Sequence, residues 1–102
     1  MKNKRPAQLK DLLKKIHNCI EEERYIQTKH AIQRGSEREI ELPDVLYVLK
    51  SGQHEKNKTT FDEGFTSWKY AIRGKTLSDL DIRVIVAFDE TGMLIITVMH
   101  IT

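Results

Sequence analysis

The sequence has few cysteines and prolines, and it has no long apolar run. It has one cysteine, Cys19, so no disulfide can form within the chain, and two prolines in 102 residues. A lone cysteine fits a reducing compartment. No apolar run approaches the roughly 20 residues that cross a bilayer. The basic start MKNKRPAQLK is not followed by the apolar core of a signal peptide. We therefore expect a cytoplasmic protein without a membrane partner.

Length and composition indicate one globular domain. Splitting a chain of 102 residues would leave pieces too small for a core, so we predict a single domain over 1–102. A hydrophobic content of 39% with 31% charged residues is too apolar for a disordered chain. The net charge of +2 does not by itself indicate a nucleic-acid partner. However, residues 1–34 carry nine Lys/Arg against four acids, and residues 53–76 carry five against three.

Several kinds of site have no counterpart in the sequence. No Cys or His pair has zinc spacing, and the acids form no evident cluster for magnesium. No glycine-rich phosphate loop and no G-x-S-x-G motif occur. We therefore predict no metal and no cofactor. The remaining candidates for chemistry are His, Arg and Lys residues with a few aromatic neighbours.

Three helices are predicted in the first half of the chain. Apolar residues at three-and-four spacing predict an amphipathic helix over 6–23. A second helix is expected over 28–38, although Gly35 weakens it, since glycine inside a helix costs about 1 kcal/mol relative to alanine. A third helix is predicted in LPDVLYVLKSG, where Gly52 ends it.

After Gly52 the pattern changes from helical to alternating. The first two predicted strands are HEKNKTTF and SWKYAIRG, joined around DEGF. The last two are DIRVIVAF and MLIITVMHI, which flank the hairpin signal DETG. The predicted fold is therefore α+β, with N-terminal helices packed on an antiparallel four-stranded sheet.

The last hairpin predicts a strand register. A two- or four-residue loop within DETG would pair Asp81 with His100 and Arg83 with Val98. Cross-strand partners point to the same side, so Asp81, Arg83 and His100 would cluster at one end of the sheet. Arg83 would then either pair with Asp81 or face a phosphate. A three-residue loop with a bulge would shift the register by one and break this cluster.

The second predicted helix carries a ladder of polar residues. His30, Arg34 and Arg38 lie four residues apart and share one helix face. One interpretation is that this face borders an RNA phosphate. The other is an ordinary charged surface, paired with the glutamates of segment 37–41.

This set of residues suits cleavage of single-stranded RNA without a metal. When the 2′-hydroxyl attacks the neighbouring phosphorus, histidine can act as base or acid near neutral pH. Arginine and lysine can stabilise the negative charge of the phosphorane. Aromatic side chains can stack exposed bases. Trp68 and Tyr70 either do this or pack within the sheet.

Two stretches resemble known families. KHAIQRGSEREIELPDVLYVLKSG resembles a small bacterial family known only as a domain of unknown function, typified by H-A-x-x-R-x-x-x-R, Asp-Val and a closing glycine. EKNKTTFDEGFTSWKYAI and LIITVMH are similar to the motility quorum-sensing regulator (MqsR) toxins of the RelE-like ribonuclease superfamily. That resemblance implies a RelE-like fold and a metal-independent endoribonuclease (an mRNA interferase). It also implies the toxin role in a type II toxin–antitoxin pair, with a cognate antitoxin that often has a zinc-binding domain.

The resemblance assigns roles to particular positions. The toxin's catalytic lysine corresponds to Lys56, and its lysine near the end of the last strand corresponds to His100. Its catalytic glutamine falls on Lys69 and its tyrosine near Asp81, and both of these residues differ in type.

We therefore predict an endoribonuclease acting on single-stranded RNA or mRNA. The alternative is a non-catalytic nucleic-acid or protein-binding module on the same fold. The predicted catalytic residues are His30, Arg34, Lys56, Arg83 and His100. The predicted RNA-binding residues are Arg38, Lys58, Lys69, Tyr70 and Arg73.

Overall fold

The computed structural model describes residues 5–101 as a mixed α+β fold. Its helices are α1 (Leu12–Glu21), α2 (Lys29–Arg38) and α3 (Leu42–Ser51), and a 3₁₀ turn covers Lys56–Lys58. Its strands are β1 (Tyr25–Gln27), β2 (Gln53–His54), β3 (Thr60–Asp62), β4 (Ser67–Lys75), β5 (Asp81–Asp89) and β6 (Gly92–His100). Within residues 5–101, none of the helices is long and apolar enough to cross a membrane.

Among the residues that the structure describes, the sheet has six strands in the order β1-β6-β5-β4-β2, and β3 also pairs with β4. The predicted mixed α+β class is confirmed, although strand β1 lies between α1 and α2 in the chain. The prediction of four antiparallel strands is wrong, because two additional short strands form and β1 runs parallel to β6. All three helices pack into one core with the alternate buried residues of the long strands. We call that side of the sheet the helix face and the opposite side the open face.

The predicted first strand, 54–61, is split by the 3₁₀ turn into β2 and β3. The hydroxyl of Thr59 explains the break, because it donates to the Glu55 carbonyl and accepts from the Ala71 N–H, each at 3.1 Å. A side chain thus takes the place of a strand partner at this point of β4. Both β2 and β3 still pair antiparallel with β4, at different positions along it.

Strand β1 was not predicted, because three residues are too few to show an alternating pattern. Two backbone hydrogen bonds frame it: Met93 N–H donates to the Arg24 carbonyl at 2.9 Å, and Thr28 N–H donates to the Ile95 carbonyl at 3.0 Å. Parallel pairing of β1 with β6 requires a crossover, and α2, α3 and the other strands lie between them in the chain.

The first helix begins at Leu12 instead of Pro6. The preceding segment packs against β4: Trp68 Nε1–H donates to the Pro6 carbonyl at 2.7 Å, and Leu9 N–H donates to the Tyr70 hydroxyl at 3.0 Å. These tertiary hydrogen bonds replace the helical ones that the apolar spacing predicted.

The second and third helices lie where the sequence predicts them. The Thr28 hydroxyl caps α2 by accepting from Ala31 N–H at 3.1 Å. Gly35 does not end this helix; a Cβ there would lie 2.7 Å from the Ile40 carbonyl oxygen, so glycine allows the chain to pass close by. Gly52 ends α3, as predicted.

The predicted register of the last hairpin is correct next to the turn and wrong from Ile85 to the open end of the hairpin. Near the turn, Val86 pairs with Ile95, but an irregularity between Ile85 and Val86 shifts the remaining pairs by one residue. Arg83 therefore lies opposite Met99 and not Val98. The pairing of Asp81 with His100 is lost as well, since His100 lies opposite Ile82, a buried residue of the helix face. Arg83 and His100 consequently lie on opposite faces of the sheet.

Candidate nucleic-acid interface

The predicted site residues lie in separate parts of the molecule. Four accompany α2 and the end of β6, namely His30, Arg34, Arg38 and His100. Three lie on the open face of β4 and β5, namely Lys69, Arg73 and Arg83. Two lie in the 3₁₀ turn, namely Lys56 and Lys58, and Tyr70 lies in the core. The structure does not bring the five predicted catalytic residues together.

The α2 group has partners within the protein. Arg38 Nη1 donates to the Val98 carbonyl at 2.6 Å, and the His100 Nε2–H donates to the Arg38 carbonyl at 2.8 Å. These two bonds tie the end of α2 to β6. Arg34 forms an ion pair with Glu37 at 3.1 Å. His30 and Arg38 are eight residues apart, about 12 Å along a helix, so His100, which bonds to the Arg38 carbonyl, lies about two helical turns from His30.

The open-face group is an ion network. Arg83 donates to both carboxylate oxygens of Glu55, at 2.6 and 3.0 Å, and their side chains are only 16% and 17% exposed. Arg73 holds Asp81 in the same way, at 3.2 and 2.6 Å. The predicted pairing of Arg83 with Asp81 is not formed, because Arg83 bonds to Glu55 and Asp81 bonds to Arg73. Lys69 is paired with Asp62 at 3.0 Å.

The network fixes the ionised form of its carboxylates. The hydrogen bonds from Arg83 lower the pKa of Glu55, against the opposing effect of burial. Those from Arg73 lower the pKa of Asp81. Two arginines thus face two ionised acids, and the charges compensate one another. An RNA phosphate would have to displace a bidentate carboxylate to bind here, so this group is a poor receptor for it.

Tyr70 cannot serve as a stacking platform, because it is 3% exposed. Its ring contacts the rings of His54 and Phe88, with centroids 5.8 and 6.1 Å away. Its hydroxyl accepts the hydrogen bond from Leu9 N–H. Of the two roles predicted for Tyr70, packing within the sheet accounts for the buried ring.

A groove between the start of α1 and strand β2 has a different character. It has a volume of about 550 Å³ and is lined by Lys10, Lys14, Lys56, His54 and Asp11, among others. We call it the basic groove. Within residues 5–101, none of its three lysines lies within 4.0 Å of a carboxylate oxygen. Three cations thus face one acid, and the cations have no partner in an ion pair among these residues.

His54 lies at the edge of this groove. Its Nε2 lies 2.8 Å from the Thr59 hydroxyl, which lies 3.1 Å from the Glu55 carbonyl oxygen. When the hydroxyl donates to that carbonyl, His54 Nε2–H donates to the hydroxyl and Nδ1 is free to accept a proton. Burial lowers the pKa of His54, and the positive charge of Lys56 lowers it further. The imidazole is consequently neutral at pH 7.

Lys56 was among the predicted residues, whereas Lys10, Lys14 and His54 were not. The excess of cations over residues 1–34 was the available signal. It did not identify these lysines, because only the packing of α1 places them beside Lys56, more than forty residues along the chain. Within residues 5–101, the structure contains no group of three or more His, Cys, Asp or Glu side chains placed to hold a metal ion.

Comparison with known families gives a match over most of the chain. The sequence model of the family described as a domain of unknown function, DUF4258, matches residues 27–100. Neither the curated proteins nor the solved structures compared with the chain include a significant match. The matched range includes the H-A-x-x-R-x-x-x-R stretch, Lys56 and His54, and it begins after Lys10 and Lys14. The chain belongs to the DUF4258 family.

Proposed function

We propose that this chain is a non-catalytic RNA-binding module that holds single-stranded RNA in the basic groove. The observation that carries the proposal is the convergence of Lys10, Lys14 and Lys56, from two segments distant in sequence, on one groove that a single acid among the described residues lines. Unpaired lysines bind phosphates as mobile point charges, and neutralising phosphates releases counterions.

The groove also offers apolar surface beside its cations. Leu9 is 37% exposed and lines the groove with Leu13, which packs against the core. A strand whose phosphates lie on the lysines would place its bases against this surface. The arginines of α2 and the open face support this use less, because Arg34, Arg73 and Arg83 already hold carboxylates.

Replacing Lys10, Lys14 and Lys56 together by glutamine is expected to lower the affinity for single-stranded RNA by about tenfold or more. Each phosphate contact on a single strand contributes about 0.7 to the slope of log K against log salt. The slope should therefore become shallower by about 2. Fluorescence anisotropy with a labelled mixed-sequence RNA, titrated at several salt concentrations, measures both quantities.

The matched control replaces Lys29, Lys50 and Lys75 by glutamine, which changes the net charge equally at exposed positions outside the groove. This control should retain most of the affinity and the salt slope. Equal losses in both triple variants would show that RNA responds to overall charge and would refute the groove as its site.

A metal-independent endoribonuclease is the second candidate, and the neutral His54 beside three lysines favours it. His54 would accept the proton of the 2′-hydroxyl as that oxygen attacks phosphorus. The bond from phosphorus to the 5′-oxygen breaks, and a lysine ammonium supplies the proton to the leaving oxygen. The products are a 2′,3′-cyclic phosphate and a 5′-hydroxyl. Lysine charge would stabilise the phosphorane between them.

Under this candidate the chain would have a RelE-like fold and would act as the toxin of a type II toxin–antitoxin pair. The resemblance around Lys56 supports both parts of the proposal. The cognate antitoxin would then cover the basic groove. The separation of Arg83 from the histidines, and the change to Lys69, favour the non-catalytic candidate over it.

If the second candidate holds, single-stranded RNA incubated with the protein and EDTA will acquire new 5′-hydroxyl ends. His54→Gln will then slow cleavage by 10²-fold or more, about the contribution of general base catalysis, and leave RNA affinity unchanged. End-labelling with polynucleotide kinase before and after phosphatase treatment detects these ends.

His17→Gln, at an exposed position of α1, is the matched control and should cleave at the wild-type rate. His30→Gln and His100→Gln test the positions predicted from the sequence. RNA that binds and stays intact with the wild-type protein would remove the nuclease candidate and leave the binding module.

A further inference from the structure

Strand β1 presents an unpaired backbone edge on its outer side. Strand β1 pairs in parallel with β6. The Arg24 carbonyl accepts from Met93 N–H and Thr28 N–H donates to the Ile95 carbonyl, so residues 24 and 28 face β6. Because alternate residues of a strand direct their N–H and C=O groups to the same side, those of Ile26 also face β6. The N–H and C=O groups of Tyr25 and Gln27 therefore face away from β6. Within residues 5–101 no other strand lies on that side. Such an edge is a template for a further strand.

Two grooves lie beside β1. The smaller has a volume of about 250 Å³ and lies toward β6, since Thr91, Gly92 and Met93 line it together with residues 23–26. The larger has a volume of about 710 Å³ and is lined by Gln27 and Ile32, among others. We call the outer edge of β1 and the larger groove together the β1 track.

Apolar side chains are exposed along the β1 track. Ile26 is 60% exposed and Ile32 is 54% exposed, although both are large aliphatic residues. Ile26 lies on the open face, because its neighbour across the strands, Leu94, pairs with Ala87 and not with a residue of the helix face. Ile32 projects from α2 beside Gln27. A strand added here would find aliphatic contacts for side chains pointing to either face.

The larger groove is acidic. Glu39 and Glu41 line it, and no lysine or arginine among residues 5–101 does. Within the described part of the chain, neither carboxylate lies within 4.0 Å of a cationic nitrogen. The complementary ligand carries a lysine or arginine at this end of the β1 track.

We propose that the β1 track binds an extended segment of a partner protein, which adds to the sheet as a seventh strand. The segment has aliphatic residues at alternate positions and a lysine or arginine in the groove of Glu39 and Glu41. Main-chain hydrogen bonds to Tyr25 and Gln27 supply the register. The basic groove lies at the β2 edge, at the opposite end of the strand order, so this proposal stands independently of RNA binding.

A second copy of this chain fits the β1 track less well. Antiparallel pairing of two β1 strands would place the groove of Glu39 and Glu41 against the other copy's groove of Glu23 and Arg24. Three acids would then face one arginine at each end. A partner segment with a net positive charge avoids this repulsion.

Selection from a displayed library of random peptides tests the proposal. Enriched peptides are expected to alternate aliphatic residues and to carry lysine or arginine at one end. Gln27→Pro removes an N–H that faces away from β6, so it blocks the added strand and leaves the pairing of β1 with β6 intact. It should weaken the enriched peptides by about tenfold.

Charge is tested separately by Glu39→Gln with Glu41→Gln, which should weaken these peptides by about fivefold. Glu21→Gln with Glu90→Gln changes exposed acids outside the larger groove and should have no effect. A measurement on the unaltered protein avoids any folding defect of the proline variant: peptide binding should slow hydrogen exchange at the Tyr25 and Gln27 amides.

Three outcomes would overturn the proposal. The first is enriched peptides that bind the Gln27→Pro variant as tightly as the wild type. The second is unchanged exchange at Tyr25 and Gln27 on peptide binding. The third is concentration-dependent self-association that Gln27→Pro abolishes, which would assign the edge to a second copy.

Discussion

Replacing Gly92 by alanine is expected to destabilise the fold by about 3 kcal/mol, the largest single-residue effect on stability that we predict. Gly92 has φ +147°, a conformation that residues with a Cβ rarely adopt. A Cβ there would also collide with the backbone carbonyl of Arg24. That carbonyl accepts the hydrogen bond from Met93 N–H that frames β1. Thermal unfolding followed by circular dichroism should show a fall in Tm of more than about 10 °C.

Gly64→Ala is the matched control, because Gly64 also lies in a turn between strands. Its φ is not positive, and an added Cβ would approach only the Asp62 side chain, at 3.3 Å. We expect a change of less than about 1 kcal/mol. A similar loss in both variants would show that flexibility of the turns, and not the close approach of β1, makes glycine necessary at position 92.

The parts of the fold that could be predicted are those with long periodic patterns and local end signals. Helices α2 and α3 have such patterns, and their ends at Thr28 and Gly52 are set by neighbouring residues. The β5–β6 hairpin is likewise marked by its turn. Neighbouring residues determine these elements, so they can be predicted from the sequence without knowledge of tertiary contacts.

The parts that could not be predicted depend on contacts between distant residues. The segment before α1 is held by Trp68 and Tyr70, and the break between β2 and β3 is held by the bond from Ala71 to Thr59. The register shift within the last hairpin falls in residues 94–98, where both the even-numbered and the odd-numbered positions include aliphatic residues. The alternating pattern therefore could not distinguish the two registers.

The same distinction explains the candidate site. Lys56 could be proposed as a site residue from its type and neighbours, whereas its proximity to Lys10 and Lys14 depends on how α1 and the segment before it pack. The charge of Arg83 in an apolar strand indicates that this residue has a partner. The alternating pattern predicts a strand over 54–61 and does not reveal the 3₁₀ turn that follows Glu55, so the sequence does not identify Glu55 as that partner.

Replacing Glu55 by glutamine is expected to destabilise the fold by about 2 kcal/mol at pH 7, because Arg83 is left without its counter-ion at a largely buried position. Urea unfolding at pH 7 measures the change. Glu63→Gln is the matched control: its ion pair with Arg5 is 72% and 55% exposed, and its loss should have no measurable effect.

The pH dependence distinguishes an ionic role of Glu55 from a packing role. The pKa of Glu55 in the folded protein lies below its ordinary 4.5, first because of the hydrogen bonds from Arg83. Between the folded and unfolded pKa values the unfolded chain binds more protons, so stability rises with pH there. The stabilisation is complete above pH 4.5 and disappears as the pH falls through the folded pKa. Wild type and Glu55→Gln should therefore differ most at neutral pH and converge in acid, whereas a constant difference down to pH 3 would assign Glu55 a packing role.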